Sequence, residues 1–232
     1  KGMFGMSQRV DFHCHILPNA DHGSDSIQVS LNQLLLQRKA GIERIVATPH
    51  FYPEQTSIED FLWLRDECAK ALLVAMPKET PPIHLGAEVL VCPGMEEMEG
   101  LEKLCIAGTK TILLEMPFGH FSEKILYTVE RLAMLDLLPV MAHIDRYEPE
   151  EVQALMSLPV LAQVNAASLC KRSVRKMLEK YFVAGRVVAL GTDLHGCKKN
   201  ALADYEKGLL KLGAFNEAEI NDTAARILQS AE

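Results

Sequence analysis

The sequence predicts an α/β fold in which parallel strands are covered by helices. Two observations predict it. Short apolar segments alternate with helical periods seven times along the chain, the pattern of repeated strand–helix units. No linker or break in composition interrupts the alternation, so residues 1–232 read as one domain. Seven units suit a closed or slightly irregular barrel better than an open sheet, although periodicity alone does not separate the two.

Val10 to Phe12 is the first strand candidate, and a polar loop, Asp21 to Asp25, follows it. Apolar residues at Ile27, Leu31, Leu34 and Leu35 mark a helix that stops at Gly41, a residue favoured just past helix ends. Ile42 to Ala47 is the second strand, closed by Thr48-Pro49-His50. Ser57, with Asp60 three residues on, makes an approximate capping box for a helix running through Phe61, Leu64, Cys68 and Leu72. Ile83 to Ala87 is the third strand and ends at Glu88. Pro93 to Leu104 reads as an acidic loop with a helical turn. Thr111 to Leu114, the fourth strand, ends at Glu115. Ser122 caps a helix with apolar positions Ile125, Val129, Leu132 and Leu135. Leu138 to Ala142 ends at His143, and a short helix covers Glu150 to Leu158. Val160 to Val164 ends at Asn165, and a helix from Ser173 to Ala184 stops at Gly185. Val187 to Leu190, the seventh strand, leads into Gly191-Thr192-Asp193-Leu194-His195. Two helices follow, Ala201 to Leu212 and Glu217 to Gln229.

The 232 residues are 48% hydrophobic and 24% charged, the balance of an ordinary soluble globular protein. The net charge of -7 argues against general affinity for nucleic acid. Six cysteines, at 14, 68, 92, 105, 170 and 197, include no Cys-x-x-Cys pair and fall mostly inside apolar patterns. They read as reduced, buried thiols of a cytoplasmic protein, not as a disulfide or zinc framework. No apolar run is long enough to span a membrane, and Lys1 to Ser7 lacks the apolar core of a signal peptide.

The polar residues at the strand ends carry the chemistry. In extended backbone, side chains at i and i+2 share a face, so His13 and His15 can point at one object while Cys14 faces away. An isolated His-x-His is more often structural. Here His50, Glu88, Glu115, His143, Asp193 and His195 also sit at strand ends, and His22 lies in the first loop. Parallel α/β folds gather the carboxyl ends of their strands on one rim, where active sites lie. Six of the eight histidines therefore converge with three carboxylates, which is hard to explain without metal. Nine ligands exceed the needs of one ion, so two or three divalent ions are expected. Mixed imidazole and carboxylate donors suit Mn, Fe or Zn rather than Ca or Mg. Three such ions against three carboxylates leave a charge of about +3, which attracts a phosphate and hydroxide.

The segments His13-Cys14-His15, Thr48-Pro49-His50, Gly86-Ala87-Glu88, Leu114-Glu115, Ala142-His143-Ile144-Asp145-Arg146-Tyr147, Gln163-Val164-Asn165 and Gly191-Thr192-Asp193-Leu194-His195 resemble the PHP (polymerase and histidinol phosphatase) superfamily. The resemblance is strongest to its bacterial protein-tyrosine phosphatases from capsular and extracellular polysaccharide operons. It implies a distorted seven-stranded TIM-like (β/α)7 barrel. It implies that His13 and His15 hold one ion with Glu88 and Asp193. Glu88 would bridge to a second ion held by Glu115 and His143. His50 and His195 would hold a third with a residue of the first loop. The family usually carries Asp-Asp-Gly there, with the second Asp as ligand, whereas this chain has Asp21-His22-Gly23. His22 takes that place with less charge, and Asp21 is the backup.

Arg146 is expected to hold the phosphate and its transition-state charge through paired hydrogen bonds; a surface salt bridge is the ordinary alternative. Lys198 and Lys199 read as a solvated pair. The resemblance implies hydrolysis of phosphotyrosine by metal-activated hydroxide attacking phosphorus in line, with Mn as the favoured metal. The implied partner is the C-terminal tail of a tyrosine kinase that regulates polysaccharide synthesis. The leaving phenolate, with a pKa of about 10, needs little protonation. Phe51, Tyr52, Phe118 and Phe121 are candidates to line a phenyl slot, and Asn165 to orient a ligand or water. His84 has no assigned role, and His120 stands near the rim. Two rivals share these residues: a small-molecule phosphatase such as one acting on histidinol phosphate, and a metal-stabilised module that binds phosphotyrosine without cleaving it.

Overall fold

Nine strands and seven α-helices alternate along the residues that the structure, a computed structural model, describes: 8–197, 200–212 and 217–229. In chain order they are β1 (Arg9–Cys14), α1 (Ile27–Lys39), β2 (Ile42–Ala47), β3 (His50–Phe51), α2 (Ile58–Ala75), β4 (Ile83–Leu85), β5 (Glu88–Leu90), β6 (Thr111–Glu115), α3 (Glu123–Ala133), β7 (Leu138–Met141), α4 (Pro149–Leu155), β8 (Leu161–Asn165), α5 (Arg172–Val183), β9 (Val187–Gly191), α6 (Ala201–Leu212) and α7 (Glu217–Gln229). The expected loop after β5 contains two short 3-10 turns, Met95–Glu97 and Leu101–Leu104. Lys1 to Ser7, Lys198 and Lys199 lie outside the described residues.

Local chemistry sets the helix ends. Ser57 Oγ accepts from Asp60 N at 3.1 Å and Ser122 Oγ from Ile125 N at 3.4 Å, each satisfying a first-turn N–H that has no helical partner. Ser26 caps α1 in the same way through Val29 N at 3.3 Å. Pro149 opens α4, where its missing N–H costs nothing.

All strand pairs are parallel, and the strands form two sheets: β1-β2-β4, and β3-β5-β6-β7-β8-β9. The seven expected runs are present, but a further short strand, β3, follows the second, and the third shortens to β4 with a further strand, β5, beyond it. The first break falls at Thr48-Pro49, where Pro49 has no N–H to give to a ladder, and the second lies beside it at Gly86-Ala87. Backbone contact persists across them, with Gly86 N donating to Ala47 O at 2.9 Å and Glu88 N to Pro49 O at 3.0 Å. A single closed ring of seven strands is therefore not what the pairing shows. Between β9 and β1 the backbone bonds lie past the end of β9: Asp193 N donates to His13 O at 2.8 Å and His15 N to Leu194 O at 3.2 Å. Lower down, the Asp11 carboxylate takes Thr192 N at 2.8 Å and the Thr192 hydroxyl at 2.6 Å.

The main core joins strand residues such as Phe51, Val89, Leu114 and Val164 to the helices through Leu34, Phe61, Leu72, Val129 and Leu178. Each such side chain contributes roughly 1.5–3 kcal/mol by leaving water. A second cluster sets Val10, Phe12, Val46, Leu113 and Val188 against Ala224 and Leu228 of α7. Two expectations need correction. Helix α1 does not bury Ile27 and Leu35, which are exposed; it buries Ser30, Gln33, Leu34 and Gln37. The cysteines are all free, but only Cys14 and Cys105 are buried, and Cys170 and Cys197 are exposed. Among the described residues no helix is long and apolar enough to cross a membrane.

Candidate metal centre

Apart from His22, which lies in the loop between β1 and α1, each candidate ligand follows a strand at its carboxyl end or opens the run beyond a break. His13 and His15 follow Phe12 with their Nε2 atoms 3.2 Å apart, and the Cys14 thiol turns away to Val46 O. His50 of β3 and Glu88 of β5 are paired in register. Glu115 ends β6, while His143 and Asp193 stand just beyond β7 and β9. Both of the latter have left-handed backbone, with φ of 31° and 50°. Such a conformation costs a non-glycine residue of order 1–3 kcal/mol and persists only where the surroundings impose it. Gly191, one step before the turn, is obligatory for close approach: a Cβ there would stand 2.8 Å from His13 Cβ and 2.6 Å from Gln163 Nε2. Gly23 is likewise needed, since a Cβ would fall 2.2 Å from His15 Cβ.

Glu88 is the centre of the cluster. Its Oε2 lies 3.2 Å from His13 Nε2, 3.2 Å from His15 Nε2 and 3.1 Å from His50 Nδ1. Its Oε1 lies 2.7 Å from His143 Nε2. Glu115 adds Oε2 at 3.6 Å from His50 and Oε1 at 3.5 Å from His143. Asp193 Oδ1 stands 3.5 Å from His15 Nε2, 3.8 Å from His13 Nε2 and 3.3 Å from His195 Nδ1. Three overlapping groups place their ligand atoms within 4.8 Å of one another: His13, His15 and Glu88; His50, Glu88 and Glu115; His15, His50 and His195.

The donor set fits divalent metal. Glu88 Oε2 is buried and has no hydrogen-bond partner, although three imidazole nitrogens surround it. A buried carboxylate oxygen left so is costly. Ligand atoms held about 2.1 Å from one ion stand roughly 3–3.5 Å apart, close to the spacings seen here. His15 Nδ1 is fixed by Asp21 Oδ2 at 2.6 Å, which leaves its Nε2 lone pair facing Glu88.

The charges agree with this arrangement. Burial opposes ionisation of Glu88, but His13 and the hydrogen bonds of His143 and His15 hold its carboxyl well below the usual range. Burial likewise works against Asp193, and His13, His15, His195 and Arg146 overcome it and lower its pKa. Burial lowers the pKa of His50 to about 4, aided by repulsion from His15. His143 moves the other way: burial disfavours its charge, yet Glu115 and Glu88 raise it to about 9. The carboxylates thus attract cations strongly, and protons on His143 and His15 compete with a metal for the same lone pairs.

The structure brings together His13, His15, His50, Glu88, Glu115, His143, Asp193 and His195 as the sequence predicts. His22 is different. It is exposed, and its ring stacks on those of His50 and His195, each with centroids 4.8 Å away. Asp21 is engaged in hydrogen bonds: Oδ2 accepts from His15 Nδ1 and the His50 N–H, and Oδ1 accepts from Gly23 N. Arg146 donates to Asp193 Oδ2 and is half-exposed, and Asn165 Nδ2 donates to the same oxygen at 3.0 Å.

Above the cluster opens a cavity of about 780 Å³, lined by His22, His50, Tyr52, Glu115, Phe118, Arg146 and His195 among others. Tyr52 stacks on His50 and Phe118 projects fully into solvent. Phe51 is instead buried against Phe61, and Phe121 packs edge-on to Tyr147, so of the four aromatic candidates only Tyr52 and Phe118 line this cavity. His120 is exposed beside Glu151, and His84 lies within β4. The sequence reading missed Gln163, Asp11 and Gln37, fully buried polar residues behind the ligands. The available signal was their place in or over strands of otherwise apolar pattern.

A parallel α/β chain with an imidazole and carboxylate cluster at its strand ends defines a class of candidate metal-dependent hydrolases. Residues 9–204 match the profile described as capsular polysaccharide synthesis, CpsB/CapC, and the chain belongs to that family. It is 28% identical over 176 residues to the tyrosine-protein phosphatase YwqE of Bacillus subtilis, covering 69% of this chain and 65% of that protein, just under two thirds of its length. It is 24% identical over 206 residues to the tyrosine-protein phosphatase CpsB of Streptococcus agalactiae, covering 80% and 82%. Its fold matches a solved chain described among the metal-dependent tyrosine phosphatases YwqE from Bacillus subtilis and CpsB from Streptococcus pneumoniae. That match has a TM-score of 0.76 at 21% identity and covers 96% of this chain and 95% of the other.

Proposed function

We propose that this chain is a metal-dependent protein-tyrosine phosphatase, acting in the cytoplasm on the phosphorylated tail of a tyrosine kinase that governs capsular or extracellular polysaccharide synthesis. The observation that carries the proposal is the buried, unpartnered Glu88 oxygen among three imidazoles, one of which, His50, lines a cavity with one arginine and two aromatic walls. The kinship to tyrosine phosphatases supports the substrate class. The split sheets are read as one distorted seven-stranded ring and the chain as one domain.

His13, His15, Glu88 and Asp193 would hold one ion, Glu88, Glu115 and His143 a second, and His22, His50 and His195 a third, with Mn favoured. When bound, these ions would supply Lewis acidity and an activated water. The chain's own residues do the rest. Asp21 fixes the tautomer of His15, so a lone pair is presented without rearrangement. Arg146, poised between Asp193 and the open cavity, exchanges part of its pairing for phosphate oxygens and stabilises charge that grows in the transition state. Tyr52 and Phe118 flank the phenyl ring. The phenolate leaves with a pKa of about 10, so no dedicated acid is required.

Phosphate release from a tyrosine-phosphorylated peptide by metal-stripped protein resupplied with Mn tests the proposal. Release that depends on Mn is expected, with Arg146→Ala lowering kcat/KM by about 10²–10³ while bound Mn is unchanged. Absence of release from metal-loaded wild-type protein, with histidinol phosphate hydrolysed instead, would move the assignment to small phosphate esters.

A further inference from the structure

Gln163 lies in β8, fully buried, and touches ligand candidates from both halves of the cluster. Its Oε1 stands 2.7 Å from the backbone N of His143 and 3.1 Å from His13 Nδ1. Its Nε2 donates to Asn165 Oδ1 at 3.0 Å, and Asn165 in turn donates to Asp193. The backbone N–H of His143 can only donate, so the Gln163 atom facing it must be the carbonyl oxygen. That oxygen can only accept. His13 Nδ1 must therefore carry a hydrogen, so in the neutral ring the lone pair belongs to Nε2, which stands 3.2 Å from Glu88 Oε2. The same acceptor anchors the left-handed residue His143 at its amide. The absence of a side chain at Gly191 leaves the slot that the amide fills.

We propose that Gln163 is a positioning residue for the metal centre: one carbonyl oxygen sets the tautomer of His13 and the backbone pose of His143, and so couples the first and second metal positions. The inference rests on the metal-centre reading above. A ligand histidine whose second nitrogen is held this way loses about 10–100-fold in metal affinity when the partner is removed.

The test is Mn affinity by calorimetry on wild-type protein, Gln163→Leu and Gln163→Glu, with folding checked by circular dichroism. Gln163→Leu keeps the volume and removes the acceptor, and is expected to weaken Mn binding about 10–100-fold. Gln163→Glu keeps an acceptor for both N–H groups, gives up the donation to Asn165 and adds a buried negative charge beside His13, and binding within about tenfold of wild type is expected. Equal binding by wild type and Gln163→Leu overturns the proposal and leaves the metal centre standing. Equal loss in both variants reduces Gln163 to a packing residue and overturns it too. No Mn binding by wild type overturns the metal centre itself. Should Gln163→Leu fail to fold, nitrogen NMR of zinc-loaded wild-type protein decides the matter: hydrogen on His13 Nδ1 is expected, and hydrogen on Nε2 overturns the proposal.

Discussion

The floor and the lip of the candidate metal centre use the same imidazole chemistry under opposite conditions. At the floor, His13 and His15 are buried, and each has its second nitrogen tied, to Gln163 and to Asp21. At the lip, His22 is exposed and is held by ring stacking on His50 and His195. Stacking fixes a plane but leaves the proton free to sit on either nitrogen, whereas a hydrogen bond to an obligate acceptor selects one tautomer. The floor is thus built to bind an ion in one way, and the lip can adapt to the ion that arrives.

The largest effect expected is at the floor. Glu88→Gln removes the charge that four imidazole nitrogens share, and both Mn retention after dialysis and phosphate release should be abolished. Retention of full metal content by that variant would erase the distinction between floor and lip. A second test concerns protons. With a pKa of about 9, His143 is protonated at neutral pH without metal, and a ligand imidazole must be neutral. Metal binding should therefore release protons, and affinity should rise with pH up to about 9, by about tenfold per unit for each proton released. Calorimetry in buffers of different ionisation enthalpy reads that release directly, and a pH-independent affinity contradicts it. The smallest effect belongs to the lip: His22→Asp should change turnover with saturating Mn less than about tenfold, while sharpening the Mn dependence through its added charge. A larger loss than for Glu88→Gln would invert the comparison.

How much of this was legible in the sequence varies by element. The strands, the caps at Ser57 and Ser122, and the convergence of ligands at strand ends follow from short-range pattern, because apolar runs and capping residues act locally. Helix α1 shows where pattern fails. Of its leucines only Leu34 is buried, and the buried face also holds Gln33 and Gln37, which donate to Leu194 O at 3.3 Å and to Asp11 Oδ2 at 2.6 Å. The helix lies over the seam between β1 and the turn after β9, where polar groups need partners, and nothing near residue 33 in sequence announces that seam. The roles of Asp21 and Gln163 escaped for the same reason: a residue that holds a ligand's far nitrogen is defined by an approach that only the folded chain makes. That β3 and β5 resume pairing beyond the interruptions at Pro49 and at Gly86-Ala87 depended likewise on how neighbouring runs align.

The seam between β1 and the turn beyond β9 has a consequence for biosynthesis. His13 is among the first residues of the described chain to be made, and Asp193 and His195, which complete its surroundings, are among the last. At about 5–20 residues per second, a ribosome separates them by roughly 10–40 s. Throughout that interval the early histidines have neither Asp193 nor the Gly191 slot beside them. Loading of the first proposed metal position therefore belongs after the strands have met, and a nascent chain stalled short of Asp193 should emerge with that position unfilled.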